Sequence, residues 1–136
     1  MANPSKLFPL ILTDKLEETR AYYVEMLGCE LVHELPNYIQ VRFGSEDTAP
    51  ELAFSTGMTP GFADGVGKFE TGLIVSIPTE NADTRHKTLS KRKASVTSEP
   101  ADRPWGWRSF TTVDPNGVTL DFFHVLDQAA PADATG

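Results

Sequence analysis

The sequence predicts an α+β chain built from two βαβββ modules, whose paired curved sheets surround a cleft. Three observations predict it. An order of short strand, helix and three short strands occurs once in each half of the chain. Sequence fragments recur at nearly the same spacing: Thr19-Arg20 returns as Thr84-Arg85, and Leu52 with Phe54 returns as Leu120 with Phe122. The chain has 136 residues, 40% of them hydrophobic, enough for one domain with a real core. A single domain over 1–136 is therefore expected, with modules at about 6–56 and 69–125. The tail 127–136 carries no large apolar residue and is expected to fray.

The elements follow in order. Leu7 to Leu12 is a short apolar run suited to a buried strand, and Pro9 places it where a backbone donor is not needed, such as a sheet edge. Asp14 with Glu17 three residues later reads as a capping box that opens a helix. Leu16, Thr19, Tyr23 and Leu27 share one face of that helix, and Gly28 ends it. Strands are expected at Glu30 to Glu34, Tyr38 to Phe43 and Glu51 to Ser55, with Pro36-Asn37 as a turn. The glycine-punctuated stretch Gly57 to Lys68 reads either as a linker that could flap over a site or as a plain connection.

In the second half, Gly72 to Ile77 reads as a strand, and Pro78-Thr79 opens a helix through Leu89. Ser95 to Thr97, Trp107 to Val113 and Val118 to Phe123 read as the remaining strands. Asp114-Pro115-Asn116-Gly117 is a strong turn signal between the last two.

Twelve Lys and Arg against nineteen Asp and Glu give a formal net charge of -7. A phosphate backbone needs a basic footprint, so no nucleic-acid partner is expected. The balance tilts toward a neutral or cationic small molecule, or serves solubility alone. Cys29 is the single cysteine, so an intrachain disulfide is impossible and a cytoplasmic setting is expected. No run approaches the ~18 apolar residues of a membrane span, so no membrane partner is expected.

Two segments carry a resemblance. Leu16 to Gly28 resembles a helix ending in Tyr-x-x-x-Leu-Gly, and Trp105 to Phe122 resembles a closing hairpin of the form Trp-Gly-x-Arg-x-Phe, Asp-Pro-Asp/Asn-Gly, Leu-Glu-Phe, here with Asp121 in place of the Glu. Both resemble the vicinal-oxygen-chelate superfamily of glyoxalases, bleomycin-resistance proteins and extradiol dioxygenases, over residues 7 to 124. The resemblance implies the two-module fold. It also implies that metal-using members carry ligands near the start of each module's first strand and in its last strand. Those positions here are Phe8, Ala53, Gly72 (or Leu73) and Asp121, with Glu51 close by. One oxygen donor falls short of the roughly three protein ligands of a catalytic ion, so no metal and no cofactor are expected. The three histidines, His33, His86 and His124, read as structural or exposed. His124 lies three residues after Asp121, on the opposite strand face.

Lack of the metal resembles the bleomycin-resistance-like branch, whose members sequester a drug between two subunits. A homodimer is the implied partner. Tyr38, Gln40 and Arg42 form one face of their strand, which reads as a ligand wall or an ordinary solvated face. Trp105 and Trp107 are candidates to stack on a planar ligand, or are packing within the motif. Phe8 and Asp121 complete the candidate ligand-binding set. Arg108 either binds an anionic group or pairs with a carboxylate such as Asp114, and the structural pair is favoured. No catalytic residue can be assigned, since Ser76 and Ser109 have no histidine at a motif spacing. The favoured function is small-molecule binding without a metal, of an aromatic or cationic compound. The alternatives are a metal-dependent lyase or dioxygenase with displaced ligands, and a dimeric accessory domain.

Overall fold

The computed structural model describes residues 6–57 and 61–126. The tail expected to fray, 127–136, lies outside them. The chain divides into two compact units. The first runs to Thr71 and includes the turn Pro115–Gly117; the second takes Gly72–Asp114 and the chain from Val118.

In the first unit, β1 (Leu10–Leu12), β2 (Glu30–Leu35), β3 (Tyr38–Arg42) and β4 (Glu51–Ser55) form a sheet in the order β1-β4-β3-β2. β1 runs parallel to β4, and the other pairs are antiparallel. Strand alternation sends Ile39, Val41, Leu52 and Phe54 to one face, where all four are buried. Helix α1 (Leu16–Arg20) continues directly into a π-helical turn, Ala21–Met26, and covers that face. The π turn lets two successive aromatics point inward. Tyr22 and Tyr23 are both buried, and Tyr23 lies 5.0 Å from the Phe54 ring centre. Thr19 and Leu27 share the buried stripe as predicted, and Gly28 closes the helix at φ 81°.

The expected capping box does not form. Lys15, not Asp14, stands at the N-cap, and no side chain caps the helix there. The Asp14 carboxylate turns instead to Lys68, 2.7 Å away, and the hydrogen bond from Lys68 holds it below its ordinary pKa. The first strand is also shorter than the apolar run, because Leu7 to Pro9 precede its ladder; Leu7 is fully exposed.

The second unit repeats the plan. β5 (Ile74–Pro78), β6 (Ala101–Asp102), β7 (Trp107–Val113) and β8 (Thr119–Val125) lie in the order β5-β8-β7-β6. Helix α2 (Ala82–Lys91) packs on β7 and β8. Ile77, Phe110, Leu120 and Phe122 form the matching core face, with Phe110 stacked on Phe122 at 5.3 Å. The strand expected at Ser95 to Thr97 is only a single bridge, Val96 to Thr112; the second strand of this unit is instead Ala101–Asp102. Ser95 has φ 57°, which interrupts an extended run.

The final turn forms as predicted. Asp114 Oδ1 accepts from the Val118 amide at 2.9 Å. Gly117 has φ 96°, and a Cβ there would sit 2.6 Å from the Glu70 carbonyl oxygen, so only glycine fits. Asn116 accepts from the Thr13 hydroxyl and donates to Thr19 Oγ1 at 3.0 Å.

Candidate functional site

Each sheet has a second face, turned away from its helix, and these two faces carry the candidate residues. On the first, the register sets Tyr38 beside Ser55, Gln40 beside Ala53 and Arg42 beside Glu51. His33 and Leu35 of β2 adjoin them; a bulge between Leu31 and His33 turns His33 to this side. The structure thus brings Tyr38, Gln40 and Arg42 onto one face, as the alternation predicts.

Glu51, expected only as a neighbour of a ligand position, joins them. Its side chain is 7% exposed. Lys6 Nζ lies 2.9 Å from Glu51 Oε2, and Arg42 Nη1 lies 3.9 Å from the same oxygen. Gln40 Nε2 donates to Glu51 Oε1 at 2.5 Å, and the Tyr38 hydroxyl donates to Gln40 Oε1 at 2.6 Å. Burial pushes the Glu51 carboxyl up, but the hydrogen bonds of Lys6 and Gln40 and the charges of Lys6 and Arg42 outweigh it and hold the pKa below its ordinary value. The Tyr38 phenol is raised by burial and by the Glu51 charge. Glu51 could have been found from parity alone, since Leu52 and Phe54 point to the core and so Glu51 does not. Lys6 is reached only through tertiary structure.

On the second sheet, Trp107, Ser109, Thr111, Asp121 and Phe123 share the face away from α2. Trp107 lies flat on Phe123, with ring centres 3.7 Å apart and planes 10° apart. Asp121 pairs in register with Ser76 and Thr111, and Ser76 Oγ donates to it at 3.1 Å. Phe123 was not singled out from sequence, although its parity with Asp121 places it on this face. Trp105 sits in the turn before β7 and is 62% exposed. Phe8 is half-buried two residues before β1, and the carbonyl of the next residue, Pro9, accepts from the Ala53 amide at 3.0 Å.

Other candidates prove structural. Arg108 does pair with carboxylates, but with Asp83 at 2.9 Å and Asp102 at 3.0 Å rather than Asp114. Those hydrogen bonds raise its pKa further, and the one to Asp83 lowers that carboxyl. His124 faces away from Asp121, as predicted, and its Nδ1 accepts from the Ala82 amide at 2.8 Å, at the start of α2. His86 stands edge-on to Phe110 at 5.2 Å. Ser109 Oγ accepts from Arg103 Nε at 2.9 Å.

The residues do not suit a divalent ion at the positions implied above. Ala53 lies between Leu10 and Gln40, and Asp121 has Ser76 and Thr111 as strand neighbours. Among the described residues no three His, Cys, Asp or Glu side chains converge as metal ligands. No helix among them is long and apolar enough to cross a membrane.

Comparison with solved structures finds the same fold. A superfamily member from Sphaerobacter thermophilus DSM 20745 is 25% identical, with TM-score 0.68, over 88% of this chain and 97% of that one. A glyoxalase/bleomycin resistance protein/dioxygenase from Nocardioides is 21% identical, with TM-score 0.70, over 99% and 92%. TnmS3, an antibiotic binding protein from Streptomyces sp. CB03234, is 21% identical, with TM-score 0.64, over 92% and 98%. No curated protein matches the chain. The model of one family matches residues 8–122, and the chain belongs to it: the Glyoxalase/Bleomycin resistance protein/Dioxygenase superfamily.

Proposed function

We propose that this chain binds a flat, neutral or cationic organic molecule without the help of a metal, in the manner of the drug-sequestering branch of its superfamily. The observation that carries the reading is the Trp107–Phe123 stack beside Asp121 on one sheet face. A third ring would extend this stack of two nearly parallel rings, worth about 0.5–1.5 kcal/mol beyond area burial. Asp121 supplies an anionic acceptor nearby, engaged by the neutral hydroxyl of Ser76. In the other unit, the polar face of Tyr38, Gln40 and Arg42 is read as a ligand-binding face in its own right. That TnmS3 is an antibiotic binding protein agrees with this reading but does not carry it at 21% identity.

The test is calorimetric titration with proflavine, a flat cation, in a Trp105→Phe background that leaves Trp107 as the lone tryptophan. Saturable binding is expected, weakened about tenfold by Trp107→Ala. Binding that ignores this substitution, or no binding at all, would overturn the reading. A homodimer and a cytoplasmic setting belong to the same proposal. Light scattering at micromolar concentration is expected to give twice the chain mass, and a monomer mass would remove the partner subunit from it.

A further inference from the structure

We propose that Glu51 fixes the hydrogen-bond polarity of the first sheet's far face, so that Tyr38 accepts from a bound molecule and does not donate to it. The inference rests on the reading that this face meets a ligand, and adds the class of ligand group it takes: one that presents an N–H or O–H.

The argument runs from Lys6 outward. Its ammonium has three protons, and it finds three acceptors: Glu51 Oε2, the Asp47 carbonyl at 2.6 Å and the Ala49 carbonyl. Glu51, nearly buried beside Lys6 and Arg42, is therefore held as a carboxylate, which can only accept. Gln40 must then turn its NH₂ toward Glu51, because the reversed amide would set a carbonyl oxygen against a carboxylate oxygen. That orientation leaves Gln40 Oε1 facing Tyr38. The carbonyl accepts, so the phenol must donate. The single phenolic proton is thereby used inside the network, and Tyr38 Oη has only lone pairs left to offer.

An incoming carbonyl or carboxylate oxygen meets lone pair against lone pair. Turning the proton outward would strip Gln40 Oε1 of its donor among the described residues. A ring N–H, an ammonium or a hydroxyl meets no such obstacle. Glu51 and Gln40 act here as positioning residues, through Tyr38.

Two neutral, flat bicycles separate donor from acceptor without involving the acidic net charge. Indole presents a ring N–H; quinoline, near neutral pH, presents a ring lone pair. The full chain, with ring-labelled tyrosine, would be titrated with each and followed by NMR. The Tyr38 signal is assigned by its loss in Tyr38→Phe, among the three tyrosines of the sequence. Indole is expected to shift Tyr38 saturably, at least about fivefold more tightly than quinoline. Gln40→Leu releases the phenolic proton while leaving Glu51 with Lys6 and Arg42, so it bypasses any folding defect of a Glu51 variant. In it quinoline should gain and the ratio should fall toward one. Equal affinities in the parent chain, a ratio unchanged by Gln40→Leu, or no response of Tyr38 to indole would each overturn the inference. If proflavine binding still depends on Trp107 in that case, the broader reading survives. If Tyr38 discriminates but Trp107 is indifferent to proflavine, the inference stands and the Trp107 platform fails.

Discussion

The two far faces occupy equivalent places in two modules of one plan, yet their chemistry is opposed. On the first sheet, Tyr38, Gln40, Glu51, Lys6 and Arg42 are linked in one chain of hydrogen bonds and charges. On the second, a Trp–Phe stack lies beside a carboxylate that accepts from a serine hydroxyl. Ala53 and Asp121 make the contrast local, since each is the third residue of a strand that lies between two neighbours. A duplicated backbone thus constrains where side chains point and little else. The helix-facing sides stayed alike because both must exclude water, with Leu52 and Phe54 answered by Leu120 and Phe122. The far sides were free to diverge.

That comparison can be broken at its common part first. Phe54→Ala and Phe122→Ala each empty a fully packed site, and each should cost about 3–5 kcal/mol by urea denaturation. Costs differing by more than about 2 kcal/mol would show that the two cores are not equivalent. The far faces should then separate. Glu51→Ala leaves Lys6 and Arg42 without their shared carboxylate and should cost about 2–3 kcal/mol. Asp121→Ala removes one hydrogen bond and should cost about 1 kcal/mol or less.

A pH series sharpens this pair. The folded Glu51 pKa is lowered, so its stabilisation is fully present above the ordinary carboxylate value and is lost as pH falls through the folded one. Urea midpoints taken downward from pH 6 should therefore fall less steeply in Glu51→Gln than in the parent chain. The slope that remains in the variant is expected from Asp14 and Asp83, whose pKa values are also lowered by ion pairs. An unchanged acid limb would mean that the Glu51 network does not persist in solution.

Much of the fold was legible. The two-module order, the core parity of β3, the Gly28 stop and the closing turn all depend on residues adjacent in sequence, and local geometry decides them. Two of the misreadings share a cause, which is competition from a distant partner. Asp14 had the spacing of a helix cap, but Lys68 takes its carboxylate. Arg108 was matched to Asp114, yet Asp114 is engaged by the Val118 amide of its own turn while Asp83 and Asp102 stand beside the guanidinium. The shared face of Tyr38, Gln40 and Arg42 was readable from period two; its link to Glu51 requires the β3–β4 register.

By itself, the sequence determined the family, the paired modules and the side of β3 that enters a core. These follow from apolar periodicity and turn chemistry, which act over a few residues. Only tertiary structure decided which polar groups meet on the far faces. Lys6 and Glu51 are forty-five positions apart in the chain and 2.9 Å apart in space. A hydrogen bond depends on tenths of an ångström and on which atom donates. Neither can be read from order along the chain until strand register brings the partners together.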